Sequence, residues 1–126
     1  MAAPHSFRGI LATLHGSFYV ITGVWPLVHI SSFLAVTGPK TDLWLVRTVG
    51  LLVTVIGVAL LLAGRRRAVT PEIEVLAIGS ALALMMIDII YVSAGVIPPI
   101  YLADAAAELA LILCWSVALL KPAART

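Results

Sequence analysis

The sequence predicts an all-α fold, a polytopic membrane protein in which four transmembrane helices form one bundle. Apolar residues make up 62% of the 126 residues, whereas charged residues make up only 11%. The apolar residues gather in runs of about 20, the length that a helix needs to cross a bilayer, and four such runs are present. Basic residues lie mainly between these runs, as they do where a chain leaves a membrane. We therefore expect one integral membrane domain over residues 1–126, with no room for a soluble catalytic domain.

Turn and capping residues set the bounds of the predicted helices. Pro26 lies near the end of the first run, where proline bends or stops a helix. Thr70 is a residue that can cap a helix, and Pro71, which follows it, suits the first helical position. Pro98 and Pro99 form an uncharged hinge before the last run. We expect helices at about residues 9–29, 43–63, 72–95 and 100–120.

The segment between the first two predicted helices is expected to be a short loop. Ser31 and Ser32 begin this segment, and Gly38-Pro39 is a typical turn sequence. Thr41 or Asp42 can then cap the second helix.

The basic residues predict the orientation of the chain. Lys40 is alone on one side of the predicted membrane, and six basic residues lie on the other side, with Arg47 inside the second helix. The positive-inside rule then places both termini in the cytoplasm of a bacterial cell, with the protein in the inner membrane. The arginine triplet also fits contact with lipid headgroups, and the formal charge of +2 indicates no nucleic-acid partner. The six basic residues are Arg8, Arg65, Arg66, Arg67, Lys121 and Arg125.

A weak internal repeat suggests two related helix pairs. The spacing Tyr-Val-x-x-Gly-Val-x-Pro occurs from Tyr19 to Pro26 and again from Tyr91 to Pro98. Each copy ends a helix that runs in the same direction across the membrane. The pattern favours a 2+2 pseudo-repeat, and chance matching of common membrane residues is the alternative.

Small residues predict the faces on which the helices pack. Glycines recur every seven residues in the first helix, and again in the second at Gly50, Gly57 and Gly64. Glycines on one face let two helix backbones approach closely within a bilayer. Arg47 shares the glycine face of the second helix, so we expect its side chain to point into the bundle. The glycines of the first helix are Gly9, Gly16 and Gly23.

Four ionisable residues form the candidate site. Arg47, Asp88, Asp104 and Glu108 come from three predicted helices and fall at similar depths in the outer half of the membrane. A charge at mid-membrane costs at least about 2.5 to 3.5 kcal/mol, so such residues are retained for a reason. One reading is structural, with Arg47 paired to Asp104 or Glu108. The other is a binding site for a proton, a cation or a polar ligand, in which repulsion between carboxylates favours protonation of Glu108 or Asp88.

Aromatic residues and histidines give fewer signals. Tyr91 and Tyr101 are expected beside the acids and are kept as ligand candidates, together with His29 at the end of the first helix. Other aromatic residues, Tyr19 among them, fit the aromatic belt of a membrane protein. Tyr19 also shares the small-residue face of the first helix, which is expected to lie inside the bundle. The spacing of His15 and His29 resembles that of haem-ligating helices, but no second helix offers a histidine in return. We therefore expect no cofactor, no metal and no catalytic residue.

The pattern resembles small bacterial four-helix membrane proteins of uncharacterised function. The resemblance rests on Gly23-Val24-Trp25-Pro26 and on the segment FLAVTGPKTDLWLVR, residues 33–47, ahead of a glycine-punctuated helix. The layout is also distantly similar to the DoxX-like group, which implies a link to membrane redox assemblies. Small multidrug exporters carry a glutamate in their first helix, and this chain has no acid there. Dual-topology fluoride channels lack a charge bias of this size.

Three functions remain open at this stage. The first is a non-enzymatic membrane protein, either a subunit of a membrane complex or a binder of lipid or small molecules. The second is a small proton- or cation-coupled transporter that works as a homodimer. The third is a membrane enzyme that acts on a lipid-like substrate.

Overall fold

The computed structural model describes residues 6–121, which form five α-helices. Four of these helices are long and apolar enough to cross a membrane. The predicted all-α, four-span fold is therefore confirmed. Arg125, which was counted with the basic residues that set orientation, lies outside the described residues. The helices are α1 (Phe7–Val28), α2 (Ile30–Thr37), α3 (Leu43–Arg65), α4 (Pro71–Ser93) and α5 (Tyr101–Leu120).

The long helices begin where capping residues permit. The Ser6 hydroxyl accepts a hydrogen bond from the backbone N–H of Gly9 at 3.0 Å and so caps α1. The Thr70 hydroxyl does the same for α4, and Pro71 takes the first helical position as predicted. Pro26 lies inside the last turn of α1 and does not end the helix, which continues to Val28.

The segment predicted as a loop after the first helix instead contains the short helix α2. The sequence predicts Ser31 and Ser32 in a loop, but Ser32 stabilises the start of α2. The Ser32 backbone N–H donates to Nδ1 of His29 at 3.2 Å, and Trp25 Nε1 donates to the Ser32 hydroxyl at 2.8 Å. The Trp25 ring also meets the Phe33 ring edge to face, with centroids 5.3 Å apart. Contacts with α1 thus fold this segment, and local sequence does not report them.

Glycine pairs bring α1 and α3 into backbone contact. A Cβ added to Gly16 would lie 2.6 Å from the Gly57 carbonyl oxygen, and one added to Gly50 would lie 2.7 Å from the Gly23 carbonyl oxygen. The third pair, Gly9 with Gly64, meets in the same way. The two helices run antiparallel, since the pairing order reverses along the chain. The predicted glycine faces are therefore confirmed, and they pack on each other.

The remaining long helices form a second antiparallel pair. α4 packs mainly on α5, whereas α1 packs mainly on α3, and contacts between the two pairs are few. The connection from α4 to α5 turns at Gly95, whose φ of 74° suits glycine. The fold thus consists of two helix hairpins with a looser seam between them.

Three polar contacts link the hairpins along α1 and α5. Arg8 donates to the Ala118 carbonyl at 3.2 Å, and Trp115 Nε1 donates to His15 Nδ1 at 3.0 Å. The Tyr19 hydroxyl donates to Glu108 Oε1 at 2.8 Å. From Arg8 to Tyr19 these contacts span about 16 Å at the usual helical rise of about 1.5 Å per residue. These contacts join the helices in place of the Arg47 pair with Asp104 or Glu108, which was one of the two readings of the sequence.

The outer surface of the bundle is apolar. Leu14, Ile21, Leu52 and Val55 are each more than half exposed, and none of them faces a cavity. Such a surface is stable in hydrocarbon and costly in water. The long helices therefore contact the lipid bilayer.

The two copies of the sequence repeat occupy different environments. Tyr19 is 1% exposed inside α1, whereas Tyr91 is 42% exposed on α4. Gly23 packs on α3, but Gly95 lies past the end of α4, and a Cβ added there would meet nothing within 4 Å. The 2+2 arrangement of helices is present, and the repeated residues do not have equivalent roles in it.

Candidate functional site

Three carboxyl groups meet between the hairpins, in the half of the bundle remote from the α3–α4 connection. Asp88 comes from the last turns of α4, and Asp104 lies in the first turn of α5 with Glu108 one turn deeper. The Asp104 carboxyl adjoins those of both Asp88 and Glu108. We call these three residues the carboxyl cluster. The structure thus brings the three predicted acids to one cavity.

Two members of the carboxyl cluster are buried, and Asp104 is partly exposed. Glu108 is 1% exposed and Asp88 is 5% exposed. Glu108 has a donor, because the Tyr19 hydroxyl bonds its Oε1. The Oδ2 atom of Asp88 is buried and has no hydrogen-bond partner. An acceptor left in this state costs about 1 to 3 kcal/mol, more when charged, unless something binds it.

The carboxyl cluster lines a cavity of about 520 Å³ between the hairpins. This volume lies within the range of about 300 to 1,000 Å³ typical of small-molecule sites. The rest of the lining is largely apolar, and α3 supplies only uncharged residues to it. The cavity therefore combines apolar walls with an acidic region. The apolar residues of α3 and α4 that line it are Leu45, Val46, Val49, Val53, Leu84 and Ile87.

Lys40 lines the same cavity, but its ammonium group is already engaged. Nζ donates to the Thr37 carbonyl, the Thr37 hydroxyl and the Gly38 carbonyl at 3.1, 2.9 and 3.1 Å. An ammonium has three donors, so these bonds use them all. Nζ also lies 5.5 Å from the Phe33 ring centre and 5.1 Å from the Tyr101 ring centre. This aromatic pair thus already holds one cation by cation–π contact.

A second cavity of about 340 Å³ adjoins the first. Thr22, Phe33, Tyr101 and Asp104 line both cavities. Asp104 is the one member of the carboxyl cluster that lines both cavities.

Three of the predicted site residues lie elsewhere. Arg47 is exposed on α3 and pairs with neither Asp104 nor Glu108, so the prediction that it points into the bundle is wrong. The close approach of α1 occupies the glycine face and leaves no room there for a long side chain. Tyr91 is exposed on α4 and lines neither cavity. His29 is exposed and caps α2.

Tyr101 is where the sequence placed it, beside the acids and lining both cavities. The arginine triplet also lies apart from the cluster, at the end of α3. Arg65 and Arg66 are exposed, while Arg67 is partly buried and adopts a φ of 54°. The exposed arginines have the access that contact with lipid headgroups needs.

Sequence reasoning missed several residues of the site. Tyr19 fitted an aromatic belt, yet it is buried and bonded to Glu108. His15 meets the Tyr19 ring edge to face at a centroid distance of 4.4 Å, and Trp115 bonds the other side of the imidazole. Lys40 was counted only as a charge outside the membrane. Tyr19 shares the glycine face of α1, which predicts its burial, but its bond to Glu108 depends on the packing of α5.

Comparisons of the chain with family models, with other proteins and with solved structures find no match. The assignment of a function therefore depends on the geometry of the cavity.

The carboxyl cluster suits charge recognition better than metal binding. Among residues 6–121, no group of three or more His, Cys, Asp and Glu side chains is arranged to hold a metal ion. Carboxyl groups in an apolar cavity can accept hydrogen bonds, bind an organic cation or hold a proton.

Proposed function

We propose that this four-span membrane protein binds a small amphiphilic organic cation in the cavity between its hairpins. The observation that carries the proposal is the buried, unpartnered Oδ2 of Asp88 beside two further carboxyls in an apolar cavity. Ligand sites combine apolar walls with a few polar groups that fix orientation, and this cavity has that composition. The acids favour a cationic head, and the apolar lining favours an apolar body.

Lys40 does not cancel this preference. Its three donors are used on Thr37 and Gly38, so it offers no free donor to a ligand. The carboxyl cluster faces the cavity with three acidic groups against this one ammonium. The charge balance of the lining therefore favours a cation over an anion.

The test measures binding of 2-phenylethyltrimethylammonium to the protein in lipid nanodiscs by calorimetry. Its neutral isostere, in which carbon replaces the ammonium nitrogen, has the same shape and no charge. We expect saturable one-to-one binding of the cation that exceeds both binding of the isostere and uptake by empty nanodiscs. Equal heats for the cation, the isostere and empty nanodiscs would refute the proposal.

A matched pair of variants assigns the binding to the carboxyl cluster. Asp88→Asn should weaken cation binding about tenfold or more, because the attraction between two opposite charges about 4 Å apart is about 1 to 4 kcal/mol between water and a protein surface. Glu72→Gln removes an acid from the same helix, but Glu72 is exposed at the start of α4. That variant should bind like the unmodified protein, and equal losses in both variants would argue against the site.

A proton- or cation-coupled transporter is a second candidate, and the three carboxyls in an apolar cavity between membrane-spanning helices favour it. Acids within spans often bind a proton or an ion on its path across a membrane. Proteoliposomes with an imposed pH gradient should accumulate the same cation against its concentration gradient. Uptake equal to that of empty liposomes would exclude this function and leave simple binding.

We also propose that the start of α1, the α3–α4 connection and the end of α5 face the cytoplasm, with the protein in a bacterial inner membrane. The asymmetry of basic residues supports this orientation, in a membrane whose inner face is the cytoplasm. Reporter fusions test the orientation. A fusion after α5 should be active with a cytoplasmic reporter and inactive with a periplasmic one, and the opposite pattern would invert the topology.

A further inference from the structure

We infer that an organic cation entering the cavity displaces a proton from the carboxyl cluster, so that the site exchanges one positive charge for another. This inference rests on the proposed function and names how the same site is regulated. It depends on which groups face the carboxyls from each helix packed around them.

The helices around the carboxyl cluster supply few cations. α1 contributes the Tyr19 phenol, which donates to Glu108, and α3 contributes only uncharged lining residues. α4 contributes Asp88 itself, with Ser80 beside the Tyr19 hydroxyl. α5 contributes Tyr101 together with Asp104 and Glu108. Lys40 provides the one ammonium in the cavity lining, and this group donates its three hydrogen bonds to uncharged oxygens.

His15 does not serve as a hidden counterion. Its Nδ1 accepts the indole N–H of Trp115, so that nitrogen carries no proton and the imidazole is neutral. The ring instead packs edge to face on Tyr19 and holds the phenol toward Glu108. Tyr19 and His15 are therefore positioning residues of the carboxyl cluster.

Three adjoining carboxyls in such surroundings hold at least one proton between them. Like charges at close range in an apolar medium disfavour full ionisation, and a shared proton belongs to the group as a whole. When the cation binds, the proton leaves to water and the cation takes over its charge. No bond other than the carboxyl O–H breaks, and the net charge of the site is the same before and after.

The exchange has a measurable thermodynamic consequence. Binding of a cation and of a proton at one site must oppose each other reciprocally. If one proton leaves for each cation bound, affinity for the cation rises about tenfold for each unit of pH over the range in which the carboxyl cluster is protonated.

The experiment titrates the protein in nanodiscs with 2-phenylethyltrimethylammonium from about pH 6 to about pH 8, a range in which buried carboxyls can titrate. This quaternary cation has no titrating proton, so any proton released comes from the protein. Repeating each titration in phosphate and in ACES, two buffers that carry no net positive charge and differ in ionisation enthalpy, counts the protons released for each cation bound. We expect about one proton and an affinity that rises with pH. Glu72→Gln, which changes an acid outside the cavity, should give the same count.

The possible outcomes separate this inference from the proposed function. Saturable binding with an affinity independent of pH and no proton release would overturn the exchange and leave cation binding intact. Loss of saturable binding at every pH would overturn the proposed function and the exchange with it. Asp104→Asn should reduce the proton count while some binding remains, because Asp104 adjoins both other carboxyls. An unchanged count in that variant would contradict the assignment of the proton to the carboxyl cluster.

Discussion

At the scale of single residues, the structure exchanges the roles of two arginines. Arg47 lies in an apolar run and was expected to hold the bundle together, but its side chain is exposed. Arg8 was assigned to topology alone, yet its Nη1 pairs with Glu74 at 2.9 Å and its Nη2 donates to Ala118. The hydropathy of the sequence shows that an arginine lies within a membrane span. It does not show which other helix, if any, packs on the face that carries the arginine.

Arg8→Ala should therefore destabilise the protein more than Arg47→Ala does. Removing Arg8 leaves a partly buried glutamate unpaired and breaks a contact between α1 and α5. We expect the free energy of unfolding to fall by about 1 to 3 kcal/mol, a value between those of surface and buried ion pairs. Thermal unfolding of both variants in the same detergent measures the difference. A lower melting temperature for Arg47→Ala than for Arg8→Ala would contradict the structure.

Tyrosines offer a second matched comparison. Tyr19→Phe removes the donor to Glu108 Oε1 and leaves a buried carboxyl oxygen without its partner. We expect a loss of about 1 to 3 kcal/mol in unfolding free energy. Tyr91→Phe makes the same chemical change at an exposed position and should have little effect. If the two variants unfold alike, the buried bond does not contribute to stability.

At the scale of helices, the glycine faces could be predicted from the sequence because the glycines recur at a regular spacing. Glycines seven residues apart lie on one face of a helix, so the sequence indicates close packing on α1 and on α3. α2 could not be predicted in this way. Its serine resembles a loop residue, and the contacts from Trp25 and His29 that fold it are tertiary.

Alanine substitutions at two glycines test the packing of helices. A Cβ at Gly16 would lie 2.5 Å from the backbone nitrogen of Leu61, so Gly16→Ala must separate α1 from α3. We expect Gly16→Ala to lower the free energy of unfolding by about 1 to 3 kcal/mol, the usual cost of overpacking. Gly79 has nothing within 4 Å, so Gly79→Ala should stabilise α4 slightly through helix propensity. Thermal unfolding of the two variants should change in opposite directions, and equal changes would contradict the backbone contact.

At the scale of the whole molecule, the sequence predicted four spans and three acids at neighbouring depths, but it could not predict the cavity. The cavity forms where the two helix hairpins do not pack closely against each other. The pattern of residues along a single helix does not predict where that happens. The same limit applies to Lys40, which reaches the cavity from the segment after α2. The fold was therefore more predictable than the site, because span length and hydropathy are local and the site is built from distant parts of the chain.

The most direct test of the acidic cavity is carboxyl labelling with dicyclohexylcarbodiimide, an apolar reagent that modifies protonated carboxyls in membranes. Mass spectrometry of the labelled protein locates the modified residues. We expect labelling at Asp88, Asp104 or Glu108 that slows when 2-phenylethyltrimethylammonium is present and is unaffected by the neutral isostere. Labelling of the carboxyl cluster at the same rate with and without the cation would contradict the proposal that these acids form its binding site.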